Sequence, residues 1–181
     1  MTQNEIKDLI EKYPYLMPRN VWTDKIPDGF DYSYIRGIGE LPPGWNKLFL
    51  QMCEDIRQPL KEAGYIEKFR FTQIKEKWGR MRCYHVGATV KVNDIIAKYE
   101  NMSHYICSRC GKPANYKTLC YVETLCEECW KDIGRHEAVE SIEFKPSFIM
   151  SGFNEDTHYY EKKISFEKEW ERYLKNIRGD V

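Results

Sequence analysis

The sequence predicts an α+β fold: a single domain in which a small sheet packs on helices and carries an inserted cysteine module. Three observations predict it. Apolar residues recur at helical spacing over residues 45–60. The stretch 67–86 alternates around Trp78-Gly79, as a hairpin does around a tight turn. Two Cys-x-x-Cys pairs, Cys107/Cys110 and Cys126/Cys129, lie fifteen residues apart.

The 181 residues suit one domain, and 42% hydrophobic with 31% charged residues is a globular composition. Lys plus Arg equals Asp plus Glu at 28 each, so net charge gives no general attraction to nucleic acid. The first residues lack a basic region followed by an apolar run, and no apolar stretch approaches the ~20 residues that span a bilayer. The expectation is a soluble, cytoplasmic protein, where seven cysteines favour metal over disulfides.

Four regions follow in order. Region 1–44 opens with a helix over 3–13, with Ile6, Leu9 and Ile10 on one side, and continues as an irregular aromatic arm broken by prolines. Region 45–105 is a helix–hairpin–helix core. Leu41-Pro42-Pro43-Gly44 launches its first helix, which carries Trp45, Leu48, Phe49, Met52, Ile56 and Leu60 on one face and ends at Gly64. Its second helix lies near 93–105, with Ile95, Ile96, Tyr99 and Met102 inward. Region 106–135 is the cysteine module. Region 136–181 holds a strand over 140–150, interrupted at Pro146, and a last helix from Ser165 that buries Phe166, Trp170, Tyr173 and Ile177.

Within the module, thiolates two residues apart on a tight knuckle reach one ion at about 2.3 Å, and two such pairs complete a tetrahedron. The expected ligands are Cys107, Cys110, Cys126 and Cys129, holding one structural Zn2+. A knuckle ending at Gly111, a hairpin over 115–125 and a helix through KDIGRHEAVE suggest a treble clef, with a zinc ribbon as the alternative. Four thiolates leave no open coordination position, so the site is read as structural. The remaining Cys53, Cys83 and Cys120 are expected to be buried thiols.

The chemistry beyond the metal centres on the hairpin. Between Lys68 and Lys91 there are seven basic residues and one acid, Glu76. With a two-residue turn, Lys77 pairs with Arg80 and Lys75 with Arg82; Gln73, Lys75, Lys77, Arg80, Arg82 and Tyr84 then share a face, and Ile74, Met81 and Cys83 share the other. A three-residue turn would dissolve that face. Phe69 and Phe71 have the parity of Lys75, which calls for a bulge or twist in the first strand. Four cations on one face call for an anion. Internal acids such as Glu54, Asp55 or Glu128, a phosphate-bearing ligand and a protein partner are the alternatives. On the ligand reading, Lys75, Lys77, Arg80 and Arg82 bind phosphate, Trp78 or Tyr84 stacks a base with help from the 30–36 arm, and Gln73 and His85 complete the set. No phosphate loop, nucleophile elbow or zinc-protease motif is present, and the histidines at 85, 104, 136 and 158 are scattered. The protein therefore reads as a binding protein, with no catalytic set legible.

Gly44-Trp45 opening a helix, QIKEKWGRMRCYH at 73–85 and TLCEEC at 124–129 together resemble a group of short bacteriophage and prophage accessory proteins. The group has an aromatic matching Trp78, apolar residues matching Ile74 and Met81, and basic residues matching Lys75, Lys77 and Arg82. The resemblance covers roughly residues 30–130. It implies a phage protein that works in the host cytoplasm, with anti-defence capture of a nucleotide signal as the leading expectation. A host-protein inhibitor and a nucleic-acid-binding zinc protein are the alternatives.

Overall fold

The computed structural model describes residues 2–20, 22–133, 139–154 and 158–179. Helix α1 (Gln3–Lys12) opens with a capping box between Thr2 and Glu5 and buries Ile6 and Ile10. A short turn at Pro14–Leu16 follows, and the arm then runs without regular structure to a second turn at Pro43–Trp45. That turn feeds α2 (Asn46–Glu62), whose stripe of Leu48, Phe49, Met52, Ile56 and Leu60 is fully buried together with Trp45. Gly64 takes the positive φ that ends the helix.

Strands β1 (Arg70–Glu76) and β2 (Met81–Val86) form a two-stranded antiparallel hairpin. Lys75 stands opposite Arg82 and Ile74 opposite Cys83. Lys77 and Arg80 exchange backbone hydrogen bonds across Trp78-Gly79, so the turn has two residues, as the sequence predicts. The register slips once, between Phe71 and Gln73. This bulge at Thr72 lets Phe69, Phe71 and Ile74 all face the core, which resolves the parity conflict seen in the sequence.

Helix α3 (Val90–Met102), capped by Thr89, packs against α2 and along β2. Its last turn satisfies the outer edge of β2. The Met81 N–H donates to Ser103 Oγ at 2.8 Å, and the Cys83 N–H to the Glu100 carboxylate at 2.7 Å. A two-stranded sheet edge that would otherwise need another strand is thus closed by side chains.

The cysteine module contains β3 (Tyr116–Thr118), β4 (Thr124–Leu125) and α4 (Glu127–Asp132). A strand from the C-terminal region, β5 (Val139–Ser141), pairs with β3 and makes a three-stranded sheet ordered β4-β3-β5. The single broken strand expected over 140–150 is instead two strands in different sheets. After β5 the chain passes Pro146 and enters β6 (Ser147–Asn154), which pairs with β7 (His158–Ser165) in a second long hairpin. Of the helix expected through KDIGRHEAVE, α4 covers only the beginning, and its last residues, Val139 and Glu140, belong to β5 because they pair with β3; residues 134–138, His136 among them, and the polar stretch at 155–157 lie outside the described residues.

Helix α5 (Glu167–Arg178) closes the core with Phe166 and Tyr173 buried and Trp170 and Ile177 packed at its margin. Arg172 reaches Asp55 at 2.5 Å, and Asp55 also accepts from the Tyr99 hydroxyl at 2.6 Å, so α2, α3 and α5 meet at one carboxylate. Among the described residues no helix is long and apolar enough to cross a membrane.

Candidate metal centre and binding face

Cys107 and Cys110 sit on a knuckle closed by the Gly111 N–H donating to the Cys107 carbonyl at 3.0 Å. Gly111 has φ +79, a conformation that glycine adopts without steric cost. Cys126 caps α4, its sulfur accepting from the Cys129 N–H at 3.5 Å, and Cys129 follows in the first turn. The four Sγ atoms lie within 4.8 Å of one another, and Cys110 and Cys126 stand 3.6 Å apart. A tetrahedron of ~2.3 Å metal–sulfur bonds has edges of about 3.8 Å, so the cluster is of the right size for one ion.

The sulfurs do not titrate alike. Burial opposes the Cys107 thiolate, but backbone N–H groups of the two knuckles outweigh it and hold its pKa below the ordinary thiol value. Burial and then the neighbouring sulfurs push Cys110 and Cys129 up. Four thiolates gathered this closely repel, and a divalent cation is what relieves the repulsion. Four protein ligands fill a tetrahedral shell, and such a site holds structure together.

The knuckle is set into the domain core. The Trp45 indole donates to the Ile106 carbonyl at 2.9 Å, and the Gly44 N–H to the Ser108 carbonyl at 2.8 Å. A methyl group at Gly44 would overlap the Cys107 carbonyl oxygen and approach the Gly111 nitrogen to 2.7 Å, so only glycine allows this docking. Cys53 and Cys83 are buried, as expected. Cys120 is exposed, contrary to expectation, because it lies in the loop between β3 and β4 beside the exposed Leu119 and Tyr121.

That loop region meets the basic hairpin. A side chain on Gly79 would come within 3.1 Å of Val122 and 3.3 Å of Thr124, so the β1–β2 turn rests on the cysteine module. Trp78 takes φ +58 and Gly79 φ +71. Glycine adopts this backbone freely, and asparagine more readily than most residues, whereas a bulky residue there is strained by about 1–2 kcal/mol. The Trp78 ring is nonetheless 67% exposed. The two-residue turn requires this backbone at both positions, and the ring that it holds there lies in solvent.

Behind the turn, Lys75 Nζ stands 5.1 Å from the centre of the half-exposed Tyr84 ring, a cation–π pair. Gln73 and Lys77 are exposed. Arg82 has one acid near it, Glu100 at 3.8 Å, which burial holds above the usual carboxylate range despite its bond from Cys83. Among the described residues Lys75, Lys77 and Arg80 have no carboxylate at ion-pair distance. The internal acids considered from sequence are engaged elsewhere. Glu54 holds Lys12, Asp55 holds Arg172, and Glu128 holds Lys112.

Two predicted members do not join the face. His85 stands opposite Phe71 with its ring 5.5 Å from Phe69, and burial lowers its pKa. Phe30, Tyr32 and Tyr34 of the arm form their own cluster, with centroids 5.1 and 5.5 Å apart. Three residues that the sequence did not single out surround Arg80. Asn101 accepts from its guanidinium at 3.4 Å, Lys117 lies beside Gly79, and His104 feels both charges. They come from separate segments, so no spacing in the sequence announces them.

Compared with known proteins, the chain matches no family model, no curated protein and no solved structure.

Proposed function

We propose that the protein is a non-enzymatic, metal-braced binding module. Its four cysteines hold a structural zinc ion in a treble-clef-like arrangement of knuckle, short hairpin and helix. Its product is the β1–β2 face: Gln73, Lys75, Lys77, Trp78, Arg80, Arg82 and Tyr84, presented to an anionic, base-bearing ligand.

The observation that carries this reading is the pairing of unneutralised cations with exposed rings. Like charges across a hairpin repel, and among the described residues Lys75, Lys77 and Arg80 have no carboxylate at ion-pair distance, while Glu76 between the lysines accepts from the Gly79 N–H. The exposed Trp78 and the half-exposed Tyr84, whose ring already carries Lys75, flank them. A mononucleotide needs an enclosing pocket. An open track of charge and rings instead suits a short single strand, whose phosphates and bases it meets in turn. In the phage setting that the sequence resemblance implies, such a strand would belong to a host or viral nucleic acid under contest.

The test is binding of a labelled single-stranded oligonucleotide across a salt series. Affinity should fall steeply with salt, and Lys75→Ala with Lys77→Ala should reduce the logarithmic salt slope by about 0.7 for each phosphate no longer neutralised. Absence of binding at low salt refutes the reading. The exposed Leu119 and Tyr121 beside the turn favour one alternative, a protein partner docked on both loop tips. A stoichiometric protein complex that survives high salt would support that instead.

A further inference from the structure

Arg80 is the odd member of the basic face. Lys77 points to open solvent, but Arg80 is half-buried, and burial followed by the nearby Arg82 charge works against its protonated form. It turns into the seam between the basic hairpin and the cysteine module. Its guanidinium contacts Asn101 on the last turn of α3. One turn further on lies His104, whose buried Nδ1 has no hydrogen-bond partner. The stem of Lys117, on β3, passes 3.9 Å from where a side chain on Gly79 would start. Two cations and an orphaned imidazole nitrogen thus lie along this seam from three elements; among the described residues neither cation has a carboxylate at ion-pair distance, and the nearest acid by register is Glu140, opposite Lys117 on β5.

A buried polar atom without a partner is costly, as is a cation held half out of water without a counter-charge. Both costs disappear if an oxyanion occupies the seam. We infer that Arg80, His104 and Lys117 form a phosphate-binding seam that takes one phosphate of the strand lying on the hairpin face. The inference rests on the oligonucleotide reading above. Arg80 supplies a planar fork, Lys117 a point charge, and His104 an N–H donor when its proton sits on Nδ1. Burial, with help from Arg80 and Lys117, pushes the His104 pKa down to about 4, so the ring is neutral at pH 7 and adds a donor without adding a third repelling charge. A phosphate anchored beside the turn leaves neighbouring bases at Trp78 and Tyr84.

A second basic cleft, of about 470 Å³, lies beside Cys110 and includes Lys47, Arg109, Lys112 and Arg178. It lacks the same force, because Arg109 and Lys112 are already paired with Glu123 and Glu128.

The test uses the metal-loaded full chain, a labelled single-stranded oligonucleotide, inorganic phosphate and the histidine ring NMR signals. Lys117→Gln and His104→Phe should each weaken strand binding about tenfold. Inorganic phosphate should shift the His104 ring signals saturably in the wild type and not in Arg80→Gln. If Lys75→Ala weakens the strand but Lys117→Gln and His104→Phe do not, the seam is overturned while the hairpin reading stands. If the wild type binds no strand, the hairpin reading fails, and the phosphate titration decides the seam alone. A saturable His104 shift lost in Arg80→Gln keeps it, and no shift ends it. Because that titration needs only the wild type for a negative answer, a variant that fails to fold does not rescue the idea.

Discussion

The Tyr173 hydroxyl donates to the Gly111 carbonyl at 2.7 Å, joining the last helix to the cysteine knuckle across 62 residues of chain. Both groups are buried, so the bond has no water to replace it. Tyr173→Phe should leave the carbonyl unsatisfied and lower stability by about 1–3 kcal/mol. Chemical denaturation should show a lower midpoint with an unchanged m-value.

Gly44 meets the same knuckle from the other side. A methyl group there collides with backbone atoms, which cannot rotate away as a side-chain end would. Gly44→Ala should cost about 3 kcal/mol, at the upper end of ordinary overpacking. A melting temperature equal to that of the wild type would show that the α2 entry turn does not need this contact.

Purified protein should contain one zinc per chain, measured by elemental analysis alongside protein concentration. Removing it with a strong chelator, or replacing Cys107 by Ser, should unfold the module and loosen the packing of Gly79 on Val122. Backbone hydrogen exchange at the β1–β2 turn should then rise. A metal-free chain with wild-type stability and exchange would refute the bracing role.

Trp78→Asn separates stability from binding. Asparagine tolerates positive φ, so the variant should be more stable by about 1 kcal/mol. It also removes the exposed ring, so oligonucleotide affinity should fall by about 1–3 kcal/mol. A loss of stability would mean that the ring is there for packing, and an unchanged affinity would remove it from the binding face.

His104 sets a pH dependence. Burial comes first, then the Arg80 and Lys117 charges, in lowering its pKa from 6.5 to about 4. The unfolded chain therefore takes up a proton on this residue before the folded one does. Its contribution is fully present above pH 6.5 and is lost as pH falls through about 4. His104→Phe should flatten the stability curve over that window relative to wild type, measured by thermal melts in matched buffers.

Where the chemistry was local, the sequence was legible. The α2 stripe is set by helical periodicity, and all six predicted residues are buried. Trp78-Gly79 gave the turn, and the misplaced parity of Phe69 and Phe71 gave the bulge. The four cysteines announced themselves by spacing. What escaped was long-range. The β6–β7 hairpin hid behind Pro146 and the polar residues at 155–157, although Phe148 and Ile164 stand opposite one another on it. Strand β5 has three residues and gains its identity only by pairing with β3. The surroundings of Arg80 needed three segments brought together, which no window of sequence can show.

The surplus residue at Thr72 has a consequence for engineering. Removing it would not turn the strand inside out, because Phe71 and Ile74 would then alternate regularly with Gln73 between them. Every side chain would keep its side. What would go is the local bend and added twist that a bulge imposes. The hairpin would become a straighter lever with the same cross-strand pairs, and its end would miss the shelf formed by Val122 and Thr124. A single-residue deletion could thus leave the composition of the basic face intact while changing only its aim.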